Sequence, residues 1–81
     1  MQAYQVRYIN DYKELCERYM KLNRMLDKYD RGTLEFELNC PVELLRAQAE
    51  VMWKYIEILW NRADYEGVDL MPVSKGAVYV N

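Results

Sequence analysis

The chain has 81 residues, eleven basic against thirteen acidic, a net charge of -2 and no histidine, so it forms one domain with no basic face for long DNA or RNA. Cys16 and Cys40 stand 24 residues apart without a CxxC spacing, which excludes the usual zinc patterns and argues against a disulfide framework. At this length folding buries only about 60% of the surface of the unfolded chain, so close helix packing or oligomerisation is the expected source of stability.

The opening stretch, MQAYQVRYINDYKELCERY, carries a charge every few residues and no apolar signal region. No run approaches the ~20 apolar residues of a membrane span. A soluble intracellular protein with reduced thiols, no metal and no cofactor is therefore expected. In the same stretch Tyr8, Tyr12, Leu15, Tyr19, Leu22, Leu26 and Tyr29 recur at spacings of four and three, the seam of a coiled coil. Ile9 and Cys16 widen the seam on one side, and Asp11, Lys13, Glu14, Glu17, Arg18, Lys21 and Arg24 cover the rest. The pattern predicts a helix over about 3–30, stopped by Asp30, Arg31 and Gly32.

TLEFEL, residues 33–38, alternates Leu34, Phe36 and Leu38 with Glu35 and Glu37. Alternation reads as a short strand; a turn of helix or an ordered loop that lays Phe36 over the hairpin end fits as well. Pro41 then suits the first position of a second helix, because its missing N–H would be unpaired there, with Asn39 or Cys40 as the cap. Leu45, Ala49, Met52, Ile56, Leu59 and Ala63 repeat the four-three spacing and should face the first helix. After Gly67 the tail VDLMPVSKGAVYVN loses this period, and its AVYV offers a brief strand, more readily to a neighbouring subunit than to TLEFEL. The expected fold is all-α: an antiparallel two-helix hairpin, about 3–30 and 41–65, with a short irregular or β-like tail over 67–81, assembled as a homo-oligomer in a single domain.

The second helix has apolar surface left over. Leu44, Val51 and Ile58 form a second line on one flank of its core stripe, Trp53 and Trp60 a third on the other, and only Glu50, Lys54, Glu57 and Asn61 make a polar strip. One partner helix covers a stripe little more than 100° wide. At about 25 cal/mol per Å2, two exposed tryptophans would forgo several kcal/mol, a large part of a small domain's stability. Either the surplus seals an interface between copies, or the aromatic line stacks a ligand ring.

An antiparallel hairpin brings the start of the first helix beside the end of the second. That open end gathers Tyr4, Gln5, Arg7, Tyr8, Tyr12, Trp60 and Arg62 near a tail with Ser74, Lys75 and Tyr79, and Trp53 lies one heptad further along the aromatic line. Guanidinium groups, an ammonium and aromatic faces suit a ligand with phosphates and a flat base. The competing reading pairs Arg7 and Arg62 with Asp11, Asp64 or Glu66 on a solvated surface and buries the tyrosines as core. SKG is too short for a phosphate loop. Without histidine, a cysteine beside a base or a metal-binding carboxylate cluster, catalysis lacks its usual parts, and no enzyme is expected.

The pattern YQVRYINDYKELCERYMKLNRML, an interruption, then ELLRAQAEVMWKYIEILWNR resembles the small helical-hairpin proteins of tailed bacteriophages, the crAss-like phages among them. Tyr4, Gln5, Arg7, Leu44, Leu45, Gln48, Met52, Tyr55, Ile58, Leu59 and Arg62 carry the likeness, which spans about residues 3–63 and leaves the tail out. In architecture the chain is also similar to phage sponge proteins that oligomerise and sequester the nucleotide signals of bacterial defence systems such as CBASS and Thoeris. The resemblance implies an anti-defence protein acting in the host bacterial cytoplasm. Its ligand would be an NAD-derived signal of the ADP-ribose type or a cyclic oligonucleotide, bound and not cleaved. On that reading Trp60, Tyr8, Tyr12 or Trp53 would stack the base, Arg7, Arg62 and Lys75 would hold phosphates, and Gln5 or Ser74 would bond ribose or base edges. The alternative is a non-catalytic adaptor whose apolar second helix docks on a phage or host protein.

Overall fold

The structure, a computed structural model, describes residues 2–71. It contains two helices, α1 (Ala3–Asp30) and α2 (Val42–Glu66), folded against each other as the paired stripes require. At the start of α1 the N–H of Gln2 donates to Gln5 Oε1 at 3.1 Å, so a side chain satisfies a donor that the helix itself leaves unpaired. At its end Gly32 takes φ 73°, and the N–H of Thr33 donates to the Lys28 carbonyl at 2.9 Å. This six-to-one closure with a left-handed glycine terminates a helix without stranding its last carbonyls.

α2 starts one residue later than the position of Pro41 suggests. Pro41 keeps an extended ψ of 138° and acts as the cap residue, with no side-chain cap from Asn39 or Cys40. The ring costs no donor in either place, but the extended ψ leaves the first helical turn to Val42. The other end repeats the device seen in α1. Gly67 sits at φ 68°, the N–H of Val68 donates to the Ala63 carbonyl at 2.9 Å, and both Val68 and Ala63 are buried.

The core follows the two stripes. Toward the turn, Leu22, Leu26 and Ala49 pack with Leu45, Met25, Val42 and Met52; toward the open end, Tyr8, Tyr12, Leu15 and Cys16 pack with Ile56, Leu59 and Ala63. Tyr29, the last member of the predicted seam, is exposed, since the stripe runs out past the first turn of α2. Val68 and Leu70 join the open-end cluster, so the segment after Gly67 begins as core rather than as tail. Residues 33–38 form bends without a strand, and Phe36 stays exposed; neither a strand nor a lid over the hairpin end is built from TLEFEL. The turn is tied instead by Arg46, whose guanidinium donates twice to the Asp30 carboxylate. AVYV, Ser74, Lys75 and Tyr79 lie outside the described residues. No helix among the described residues is long and apolar enough to cross a membrane.

The surplus on α2 is unequal on its two flanks. Trp53 and Trp60 retain 48% and 38% of their surface, because α1 claims part of each: Trp60 lies 6.4 Å from the ring of Tyr12, and Trp53 5.7 Å from that of Tyr19. On the other flank Leu44, Val51, Tyr55 and Ile58 keep 61, 65, 50 and 55%, and Tyr65 keeps 92%. With Gln48 and Arg62 these residues run at an unbroken four-three spacing from Leu44 to Tyr65. They form a second coiled-coil stripe, of which Arg62 reaches α1 over the ring of Tyr8 and the apolar members stay exposed.

Candidate functional site at the open end of the hairpin

α1 delivers Tyr4, Tyr8 and Tyr12 to the open end on successive turns, and α2 delivers Leu59, Arg62 and Glu66. The Tyr8 hydroxyl donates to the Leu59 carbonyl in the buried core, which anchors the ring at a fixed depth. Burial raises the Tyr8 phenol above its ordinary value, and the nearby Arg62 charge only partly offsets this. The ring therefore stays neutral and offers its face to a cation. Arg62 takes that face, its guanidinium carbon lying 5.1 Å from the ring centroid, within the range of a cation–π attraction.

Arg62 also pairs with Glu66, one turn further on, at 2.8 Å. That hydrogen bond is the main reason its pKa is raised, with the charge of Glu66 and the neighbouring Tyr8 and Tyr55 adding to it. The Tyr4 hydroxyl reaches the Glu66 carbonyl at 3.4 Å. Tyr4, Glu66, Arg62, Tyr8 and Tyr55 thus make one polar and aromatic patch. Arg7 shares the exposed face of Tyr4, three residues away on the helix, and no ion pair holds it among the described residues. Gln5 lends its Oε1 to the helix cap, which leaves its amide NH2 as the group it could present to a ligand.

Trp60 does not join this patch. It is two residues from Arg62, so the two side chains project about 200° apart around α2. Trp60 with Tyr12, and Trp53 with Tyr19, form a separate aromatic row on the opposite flank. The predicted residues are therefore sorted into a cationic flank with Tyr4, Arg7, Tyr8 and Arg62, and an aromatic flank with Tyr12, Trp53 and Trp60; Ser74 and Lys75 lie outside the described residues. The surface reading holds for Arg62, which does pair with Glu66. Tyr55 is the member that sequence reasoning passed over, and its signal was the seven-residue step to Arg62 on one helix face.

The cationic flank can bind an anion beside an aromatic ring, and the aromatic flank can stack a flat group. No cluster of potential metal ligands occurs among the described residues. Among known proteins, no curated protein and no solved structure matches the chain. The model of one family, Sequestin, matches residues 2–65, which covers α1 and all of α2 but its last residue, Glu66.

Proposed function

The chain belongs to the Sequestin family, a name that denotes holding a molecule rather than transforming it, and on that premise we propose that it binds and sequesters a small nucleotide immune signal uncleaved. In this reading it is a phage anti-defence protein that acts as a homo-oligomer in the host bacterial cytoplasm. The ligand is an NAD-derived signal of the ADP-ribose type or a cyclic oligonucleotide. The observation that carries the reading is the Arg62 guanidinium over Tyr8, with Arg7 in no ion pair among the described residues and a tryptophan row one helix flank away. Arg62, Arg7 and Lys75 hold phosphates. Of the four candidate stacking rings, Trp60 or Trp53 takes the base, since Tyr8 and Tyr12 are buried, and Gln5 or Ser74 bonds ribose or base edges. Because Arg62 and Trp60 point to opposite flanks, a ligand that engages both must cross the open end, which suits an extended diphosphate-linked nucleotide better than a single base.

Calorimetric titration against a panel of such signals, followed by denaturation and mass analysis of the released ligand, tests this. Binding of at least one signal and recovery of that signal intact are expected. Silence across the panel, or release of a hydrolysed product, overturns the reading. Arg62→Ala removes a charge-assisted contact of about 1.5–3 kcal/mol, and affinity should fall roughly 10- to 150-fold.

A second reading has its own support in the exposed line of Leu44, Val51 and Ile58, on which a phage or host protein could dock with this chain as an adaptor. It expects Arg7→Ala with Arg62→Ala to leave function intact and a stoichiometric protein partner to co-purify.

A further inference from the structure

The second stripe of α2 is apolar at Leu44, Val51, Ile58 and Tyr65 and polar or amphipathic at the alternate positions Gln48, Tyr55 and Arg62. A coiled-coil seam is complementary to a copy of itself, and polar residues in its layers fix direction and register. Apart from Arg62, which lies over Tyr8, the large side chains of this stripe, Leu44, Val51, Tyr55, Ile58 and Tyr65, are exposed among the described residues. We propose that the stripe is covered by α2 of a second copy of this chain, laid antiparallel across a two-fold axis that passes beside Tyr55.

The direction follows from charge. In a parallel pair Arg62 would lie opposite Arg62 of the partner subunit, a like-charge contact in a desolvated layer, which costs several kcal/mol. In the antiparallel pair centred on Tyr55, Val51 lies opposite Ile58 of the partner subunit, Leu44 opposite its Tyr65, and Arg62 opposite its Gln48. No like charges meet in the seam. Gln48 uses an amide N–H on the sulfur of Met52 at 3.9 Å, which leaves its carbonyl oxygen to accept from a guanidinium. Lys54, next to the axis, is balanced within its own chain by Glu50 at 3.7 Å. The tryptophan row is on the far flank and stays outside this interface.

The α2 helix has 25 residues and is about 37 Å long, with both ends of the seam occupied by an Arg62 patch. Each patch then includes Gln48 of the partner subunit beside the Arg62 guanidinium. The dimer stands on the stripe alone; only the statement that this glutamine borders a ligand rests on the nucleotide reading.

Light scattering and native mass spectrometry of the whole chain should give twice the chain mass of 9.8 kDa. Ile58→Glu should reduce this to the single-chain mass with helical circular dichroism unchanged, while Trp53→Ala should leave the doubled mass in place. For direction, Val51→Cys and Ile58→Cys chains are each made with Cys40→Ser and oxidised alone and mixed. Heterodisulfides in the mixture, with little cross-linking of either chain alone, are expected. A wild-type monomer, a dimer that survives Ile58→Glu, or efficient self-cross-linking of the Val51→Cys chain overturns the proposal. If the dimer forms but no signal binds, the nucleotide reading fails and the interface does not.

Discussion

Arg62 is held by two neighbours of different character, the ring of Tyr8 and the carboxylate of Glu66. In the proposed site an incoming phosphate would keep the first and displace the second. Glu66→Gln should therefore tighten anion binding by a few fold, read by titration with inorganic pyrophosphate, where Arg62→Ala abolishes it. At the other end of the hairpin Asp30 is held below the ordinary carboxylate range, mainly by its hydrogen bonds from Arg46. A lowered carboxyl pKa adds stability that is present above the unfolded value, near pH 4, and is lost as pH falls through the folded one. The melting difference between wild type and Asp30→Asn should accordingly be constant near neutrality and vanish in acid. The pair is solvent-exposed, so the difference will be small. The two thiols differ as well. Burial raises Cys16, against a weaker hydrogen-bond effect of Tyr12, whereas Cys40 is only half-buried. A thiol reagent should modify Cys40 within minutes and Cys16 only at the rate at which the hairpin opens.

The helices illustrate what a sequence makes legible. Their ends were readable because Gly32 and Gly67 are the left-handed residues that a six-to-one closure needs, and Pro41 marked the second start to within one residue. TLEFEL was ambiguous for a physical reason: alternation signals a strand only where a partner edge exists, and no strand occurs among the described residues. Val68 escaped notice because a broken period reads as tail. Yet a hydrophobic residue directly after a helix-ending glycine commonly packs back on the last turn, as Val68 does near Ala63. Replacing Val68 and Leu70 together with alanine should thus cost about 2–5 kcal/mol, seen as a lowered midpoint in urea. The separation of Trp60 from Arg62 was present in their spacing of two. Both residues lie at the same end of the hairpin but on different faces of α2.

At the scale of the whole molecule, α1 satisfies one of the three apolar lines of α2 and shares a second through the Tyr12–Trp60 and Tyr19–Trp53 contacts. In the proposed dimer the third line is left to another copy, and stability and assembly become one property, as they do for obligate dimers. Thermal midpoints should rise with protein concentration, and Ile58→Glu should remove that dependence.

The two heptad stripes of α2 run in strict parallel, one residue apart: Leu44 precedes Leu45, Val51 precedes Met52, and Ile58 precedes Leu59. A rotation of α2 by about 100° would therefore present α1 with a nearly equivalent set of hydrophobic side chains. What distinguishes the faces is the pair of small residues Ala49 and Ala63, where the rotated helix would drive Gln48 and Arg62 into the interior. These two polar residues act as a rotational lock and keep the energy surface from having two competing minima. Gln48→Leu combined with Arg62→Leu would add hydrophobicity and yet lose uniqueness. Its amide spectrum should show doubled resonances where the wild type shows one set.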